Sequence, residues 1–125
     1  MNLVWVVALG GALGATSRHF VNLLAGGMGF APSWGTLGIN VLGSTAAGAL
    51  LGLMVHAWSP SETMRAFLFV GVLGGFTTFS AFSAEVVLFI ERGEYGMATL
   101  YAIVSMLLSV GGLFAGLRLM RVVLT

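Results

Sequence analysis

The sequence predicts an all-α membrane protein of four transmembrane helices, the third of them broken mid-membrane. Three observations lead there. Hydrophobic residues make up 58% of the 125 and charged residues only 7%, with a mean hydropathy of +1.05. A soluble domain of this size needs about a quarter of its residues charged to cover its large surface, so the outer surface of this chain must face lipid. Four apolar stretches are each long enough to cross a hydrocarbon core of roughly 30 Å, which takes about 20 residues. The third stretch contains a run of glycines and hydroxyls that is poor helix material. We read residues 1–125 as a single four-helix transmembrane domain, too small to enclose a pathway alone and therefore oligomeric.

The elements follow in order. The first apolar stretch runs from about Leu3 to Leu24. Its start, Met1-Asn2-Leu3-Val4, lacks the positive region of a signal peptide, and the stretch is too long for such a segment, so we read a retained helix. A Gly/Pro loop spans Ala25 to Ser33, and the second stretch runs from about Trp34 to Trp58. Ser59-Pro60-Ser61-Glu62 ends that helix and starts the next, with Ser61 as N-cap. The third stretch covers about Met64 to Ile90, Glu91-Arg92-Gly93-Glu94 is a tight polar turn, and the fourth covers about Tyr95 to Leu124. Trp34 and Trp58 fall where an aromatic belt lies.

An even number of crossings puts both termini on one side. Arg65, Arg118 and Arg121 then fall on that side, and Arg18 and Arg92 on the other. So slight a bias hardly sets an orientation by the positive-inside rule. Two readings stay open: a protein oriented by its neighbours, or dual topology with copies pairing antiparallel. The nineteen glycines include the pairs Gly10 and Gly14, Gly48 and Gly52, and Gly112 and Gly116. Small residues four apart let helix backbones approach closely.

Composition excludes several kinds of chemistry. With no Cys there are no disulfides, thiol nucleophiles or thiolate metal sites. A net charge of +1 without Lys leaves no basic patch for nucleic acid. No nucleophile–base pair or cluster of metal ligands is present, so the chain does not read as an enzyme.

What remains is a set of polar residues inside apolar stretches. Gly71 to Ser83 holds three glycines in five positions, then Thr77-Thr78 and two serines. A break there frees backbone groups at membrane depth, tolerated only where protein or a wet cavity satisfies them. Such discontinuous helices mark ion and substrate sites; the alternative is a packing kink. Phe79 and Phe82, three apart, share a helix face, with Ser80 and Ser83 on a neighbouring stripe. Ring edges are partially positive and can touch an anion without presenting a full charge. Asn40, with Thr36 and Ser44 four residues to either side, either joins helices or donates to a ligand. Tyr101, Ser105 and Ser109 recur every four residues as a hydroxyl stripe, which either packs helices or lines a wet path. Glu85 is the only acid well inside a stretch, and Arg18 lies toward the end of the first helix, placed to snorkel or pair. His19 and His56 read as interfacial.

These residues carry a resemblance. Gly14-Ala15-Thr16-Ser17-Arg18, Gly35-Thr36-Leu37-Gly38-Ile39-Asn40 and above all Gly74-Gly75-Phe76-Thr77-Thr78-Phe79-Ser80-Ala81-Phe82-Ser83-Ala84-Glu85 resemble the Fluc (CrcB-type) fluoride channels. The resemblance extends along essentially the whole chain. It implies an antiparallel dual-topology homodimer in the bacterial inner membrane, with two pores that pass fluoride down its gradient. It implies Phe79, Phe82 and Asn40 in the pore, and Tyr101, Ser105 and Ser109 on a polar track. Glu85 is implied in a vestibule and Arg18 near the aqueous entrance. Backbone carbonyls of Gly74 and Thr77 from both subunits are implied as ligands of a central structural Na⁺. The sequence departs from relatives at Ala81, where they often carry Thr, and at Leu113, where some have a further hydroxyl on the fourth helix.

Two rival readings accompany this one. A small multidrug transporter also has four helices, but places its proton-exchanging acid in the first, where this chain has none. A non-conducting assembly subunit would use the glycine faces alone.

Overall fold

The computed structural model describes residues 2–125, and every regular element among them is helical. Helix α1 spans Leu3–Gly27 and opens with Asn2, whose side chain accepts from the Val4 N–H at 3.0 Å. It outruns the sequence expectation by one turn, so Ala25 to Gly27 are helical and the loop is shorter. Gly29, at φ +87°, lets the chain turn out of the helix, and the Phe30 N–H reaches back to the Ala25 carbonyl. Helix α2 spans Pro32–His56, with Pro32 in the first turn where its missing N–H costs nothing.

The third stretch is compound. α3 covers Glu62–Arg65 and is capped as expected by Ser61, which accepts from the Met64 N–H at 3.1 Å. A π-helical segment, Ala66–Leu73, and a short α4, Gly74–Phe76, carry the chain to Thr77 and Thr78, which are extended. Helix α5, Phe79–Glu91, then resumes. The break therefore falls on the threonine pair, and the glycines before it stay helical. The reason is their neighbour: Gly71 and Gly75 lie against the backbone of α1 at Gly10 and Gly11, and packing overrides their low helix propensity. Gly93 (φ +75°) turns the chain from α5 into α6, Tyr95–Leu124, whose bounds match the sequence reading.

Among the described residues three segments are long and apolar enough to cross a membrane: Pro32–His56, Glu62–Glu91 and Tyr95–Leu124. Helix α1 has the length, at 25 residues, but Arg18, His19 and Asn22 interrupt its apolar run. The expectation of four clear spans is thus met by three, with α1 packed along the first half of the third.

All three glycine pairs lie at helix crossings. A Cβ on Gly14 would collide with the Val72 carbonyl of the π segment, and one on Gly10 would sit 2.6 Å from the Phe67 carbonyl. Gly48 meets the Leu113 carbonyl, Gly52 the Met120 side chain, and Gly112 and Gly116 meet Thr45. Two backbone-to-backbone seams result, α1 on the π segment and α2 on α6. In lipid, where helices gain nothing from leaving water, such close van der Waals packing holds them together.

Gly48→Val should therefore lower the thermal stability of the detergent-solubilised protein by about 1–3 kcal/mol or more. Gly26→Ala, which meets nothing within 4 Å, should cost little. Melting curves for the two variants check this; equal melting would contradict the seam.

Candidate functional site: the helix break and the groove beside it

A helix break at membrane depth leaves carbonyls of the ended helix and amides of the new one without partners. Here the Thr78 N–H donates to Asn40 Oδ1 at 2.8 Å instead of to the Gly74 carbonyl, its partner in a continuous helix. Asn40 Nδ2 donates to the Thr78 carbonyl at 3.0 Å. One amide side chain thus satisfies both main-chain groups of Thr78, as a neighbouring strand would. The Thr78 hydroxyl caps α5 by accepting from the Ala81 N–H at 3.2 Å, and it shares a 3.3 Å hydrogen bond with Ser80. Arg18 Nη1, from α1, donates to the Thr77 carbonyl at 3.4 Å, where the end of α4 concentrates negative partial charge. Of the two functions open for Asn40, joining elements is the one its bonds describe, although its amide also faces the groove.

That groove, about 240 Å³, lies between the break, α2 and α6. Asn40, Ser44, Thr77 and Thr78 line one side, Ser105, Met106, Ser109 and Val110 another, and Phe79 and Phe82 form its rim. The amino end of α5 opens onto it, adding partial positive charge. The Ser105 hydroxyl is buried, at 5% residue exposure, and has no hydrogen-bond partner among the described residues. A buried hydroxyl without a partner is costly, and this one lines the cavity wall. The groove presents no ionisable side chain. Its outer rim is exposed and apolar: Phe79 is 74%, Met106 58% and Val110 68% exposed.

The phenylalanines share a face as expected, their ring centroids 5.4 Å apart. The row continues from Phe82 to Tyr101 at 5.4 Å and from Tyr101 to Phe89 at 5.7 Å. Within this row Tyr101, 1% exposed, donates its hydroxyl to Glu85 Oε2 at 2.5 Å. Thr36 donates to Glu85 Oε1 at 2.7 Å. Both oxygens of the membrane-embedded acid are thus held by neutral hydroxyls from two other helices, and Glu85 faces a separate cleft between the ends of α1 and α2.

The structure therefore divides the candidate residues. Asn40, Phe79, Phe82, Ser105, Ser109 and Thr77 surround one groove. Tyr101 and Glu85 form a pair at its aromatic end, and Arg18 sits on the break. Ser80 and Ser83 do not line the groove: Ser83 donates back to the Phe79 carbonyl at 2.9 Å and Ser80 turns to Thr78. The Gly74 carbonyl lacks its helical donor, whereas the Thr77 carbonyl accepts from Arg18. Thr36, Ser44 and Thr78 acquire functions that sequence reasoning did not assign. The signal for the first two was present, since Thr36, Asn40 and Ser44 form one stripe of α2. Thr78 gave none beyond its place in the threonine pair.

The sequence that folds in this way has relatives among known proteins. The family described as CrcB-like protein, Camphor Resistance (CrcB), matches residues 5–117. This chain belongs to the CrcB family. CrcB relatives match it over nearly their full length. It is 53% identical to a fluoride-specific ion channel FluC of Rhodospirillum centenum, covering 97% of each chain. It is 50% identical to a fluoride-specific ion channel FluC of Hyphomonas neptunium, again over 97% of each. It is also 50% identical to fluoride-specific ion channel FluC 2 of Nitrobacter hamburgensis, over 93% of this chain and 94% of the relative.

Replacing Asn40 by Leu would leave two buried backbone groups of Thr78 unpaired, at about 1–3 kcal/mol each. Asn40→Leu should therefore unfold at lower temperature than the parent and exchange its Thr78 amide hydrogen faster, both measurable on the purified protein. An unchanged exchange rate at Thr78 would remove Asn40 from this position.

Proposed function

We propose that this protein is a fluoride-selective ion channel that lets F⁻ leave the cell passively down its gradient, and that it is not an enzyme. The observation that carries this is the groove of Asn40, Ser44, Ser105 and Ser109 beneath the Phe79 and Phe82 rings, together with fluoride-channel relatives along nearly the whole chain. Fluoride is small and strongly hydrated, so a pore must replace its water with donors. A fixed cation inside the path would hold it, because conduction needs binding weak enough to release. Hydroxyls and the edges of aromatic rings supply partial positive charge without that trap. A narrow path of this kind rejects larger halides.

A groove open along one side is half of a pore. In our reading a second copy, inserted the opposite way, closes it in an antiparallel homodimer, giving two pores. The balanced Arg distribution and the exposed apolar rim of Phe79, Met106 and Val110 support that partner. With both copies spanning the bacterial inner membrane, α1 is the fourth crossing, its Arg18 directed to the break and away from lipid. The drug-transporter alternative finds no support, since both oxygens of the only embedded acid are occupied by Thr36 and Tyr101.

A Na⁺ ion at the dimer axis belongs to the same reading. The donors on offer are hard carbonyl oxygens at a helix end, the chemistry such a cation takes. The Gly74 carbonyl has lost its helical donor, and the Thr77 carbonyl keeps a second lone pair beside a long 3.4 Å contact to Arg18. Two such residues from each copy would hold the ion. Its contribution would be structural, pinning the two breaks together.

Reconstituted into liposomes and followed with a fluoride electrode, the protein should release fluoride and retain chloride. Substituting both Phe79 and Phe82 by Ile should reduce fluoride release to the level of empty liposomes; undiminished release would refute the pore lining. Exchanging Na⁺ for a bulky organic cation on both sides should likewise abolish flux, and unchanged flux would eliminate the ion from the reading.

A further inference from the structure

The groove does not end at the phenylalanines. Ser44, Ser109 and Val110 line both it and a second cleft of about 260 Å³, which continues past Leu113 and Phe114 to Leu117. The continuation follows α2 and α6 toward the end of α6 opposite Tyr101. Just past its last lining residue stands Arg118, one turn beyond Phe114, with its guanidinium carbon 5.0 Å from the Phe114 ring centroid. Nine residues of helix separate it from Ser109, about 13 Å along the axis at about 1.5 Å per residue.

We propose that Arg118 is an anion-collecting residue at the mouth of the groove, raising the rate at which fluoride enters without forming part of the narrow path. The inference rests on the channel reading above. Three features carry it. The charge is exposed and unopposed along its own helix, since α6 contains no acidic residue. The Phe114 ring, itself a wall of the cleft, holds the guanidinium at the rim by cation–π attraction. The groove beyond holds only neutral donors and apolar walls, and low-dielectric walls focus the field of a charge at their opening. A cation there attracts the anion but stands too far from Ser105 and Ser109 to trap it.

Screening provides the test, because the Debye length falls from about 30 Å at about 10 mM ionic strength to about 3 Å at about 1 M. Fluoride release from liposomes is measured at both strengths, set with a sodium salt of an impermeant anion. The proteins compared are wild type, Arg118→Gln, Arg118→Lys, and Arg65→Gln, which removes a charge from a different cleft. Arg118→Gln should be about three- to tenfold slower than wild type at low ionic strength and less than twofold slower at high. Arg118→Lys and Arg65→Gln should stay within twofold of wild type at both. Equal rates at low ionic strength, or a deficit in Arg118→Gln that salt does not relieve, would overturn the inference and leave the channel reading intact. A wild type that releases no fluoride would remove both.

Discussion

The bonds between Asn40 and Thr78 are the constraint on which the rest of this structure depends. Inside a hydrocarbon layer every main-chain N–H and C=O must find a partner within the protein. An interrupted helix violates that rule at its break, and the fold restores it with one side-chain amide from the neighbouring helix. Once Asn40 has taken Thr78, the rotation of α2 against the break is set. Thr36 then falls on Glu85, and Ser44 falls into the groove. Three polar residues on one stripe of α2 thus serve three stations along the third stretch.

The glycine seams perform a complementary task. They bring α1 onto the π segment and α2 onto α6 at near-backbone distance. The other faces of α2 and α6 are left to carry hydroxyls beside the break. Close packing also fixes the break in space, since the glycines just before it, Gly71 and Gly75, are pinned against Gly10 and Gly11. A rigid frame is what a dehydrating path requires, because donors must be in place before the ion arrives.

Charge is handled by separation. The embedded acid, Glu85, is held by two hydroxyls and points to its own cleft. Arg18 sits on a helix end whose partial charge is opposite to its own. The groove itself is left with neutral donors. Full charges are thus kept out of the groove and partial charges line it, which is the division an anion path needs, because a full charge inside would arrest the ion.

Much of this was legible from residue type and spacing. Hydropathy alone marked the apolar stretches, Ser61 announced its cap, and the four-residue glycine spacing marked faces of three helices as places of close approach. The periodicity of Phe79 and Phe82 placed them on one face, since helical geometry makes neighbours of residues three apart. Three matters were decided only by tertiary contact. Within residues 71–83 the break fell on Thr77 and Thr78 and spared the glycines, because a neighbouring backbone against Gly71 and Gly75 outweighs local propensity. Ser83 bonded within its own segment, because a serine hydroxyl in a helix competes for the carbonyl four residues back, and Ser80 bonded to the capping Thr78 hydroxyl. And Glu85 met Thr36 and Tyr101, residues 49 and 16 positions away, a pairing that no local pattern encodes. Spacing along one helix determines which side chains share a face; only packing between helices determines what that face meets.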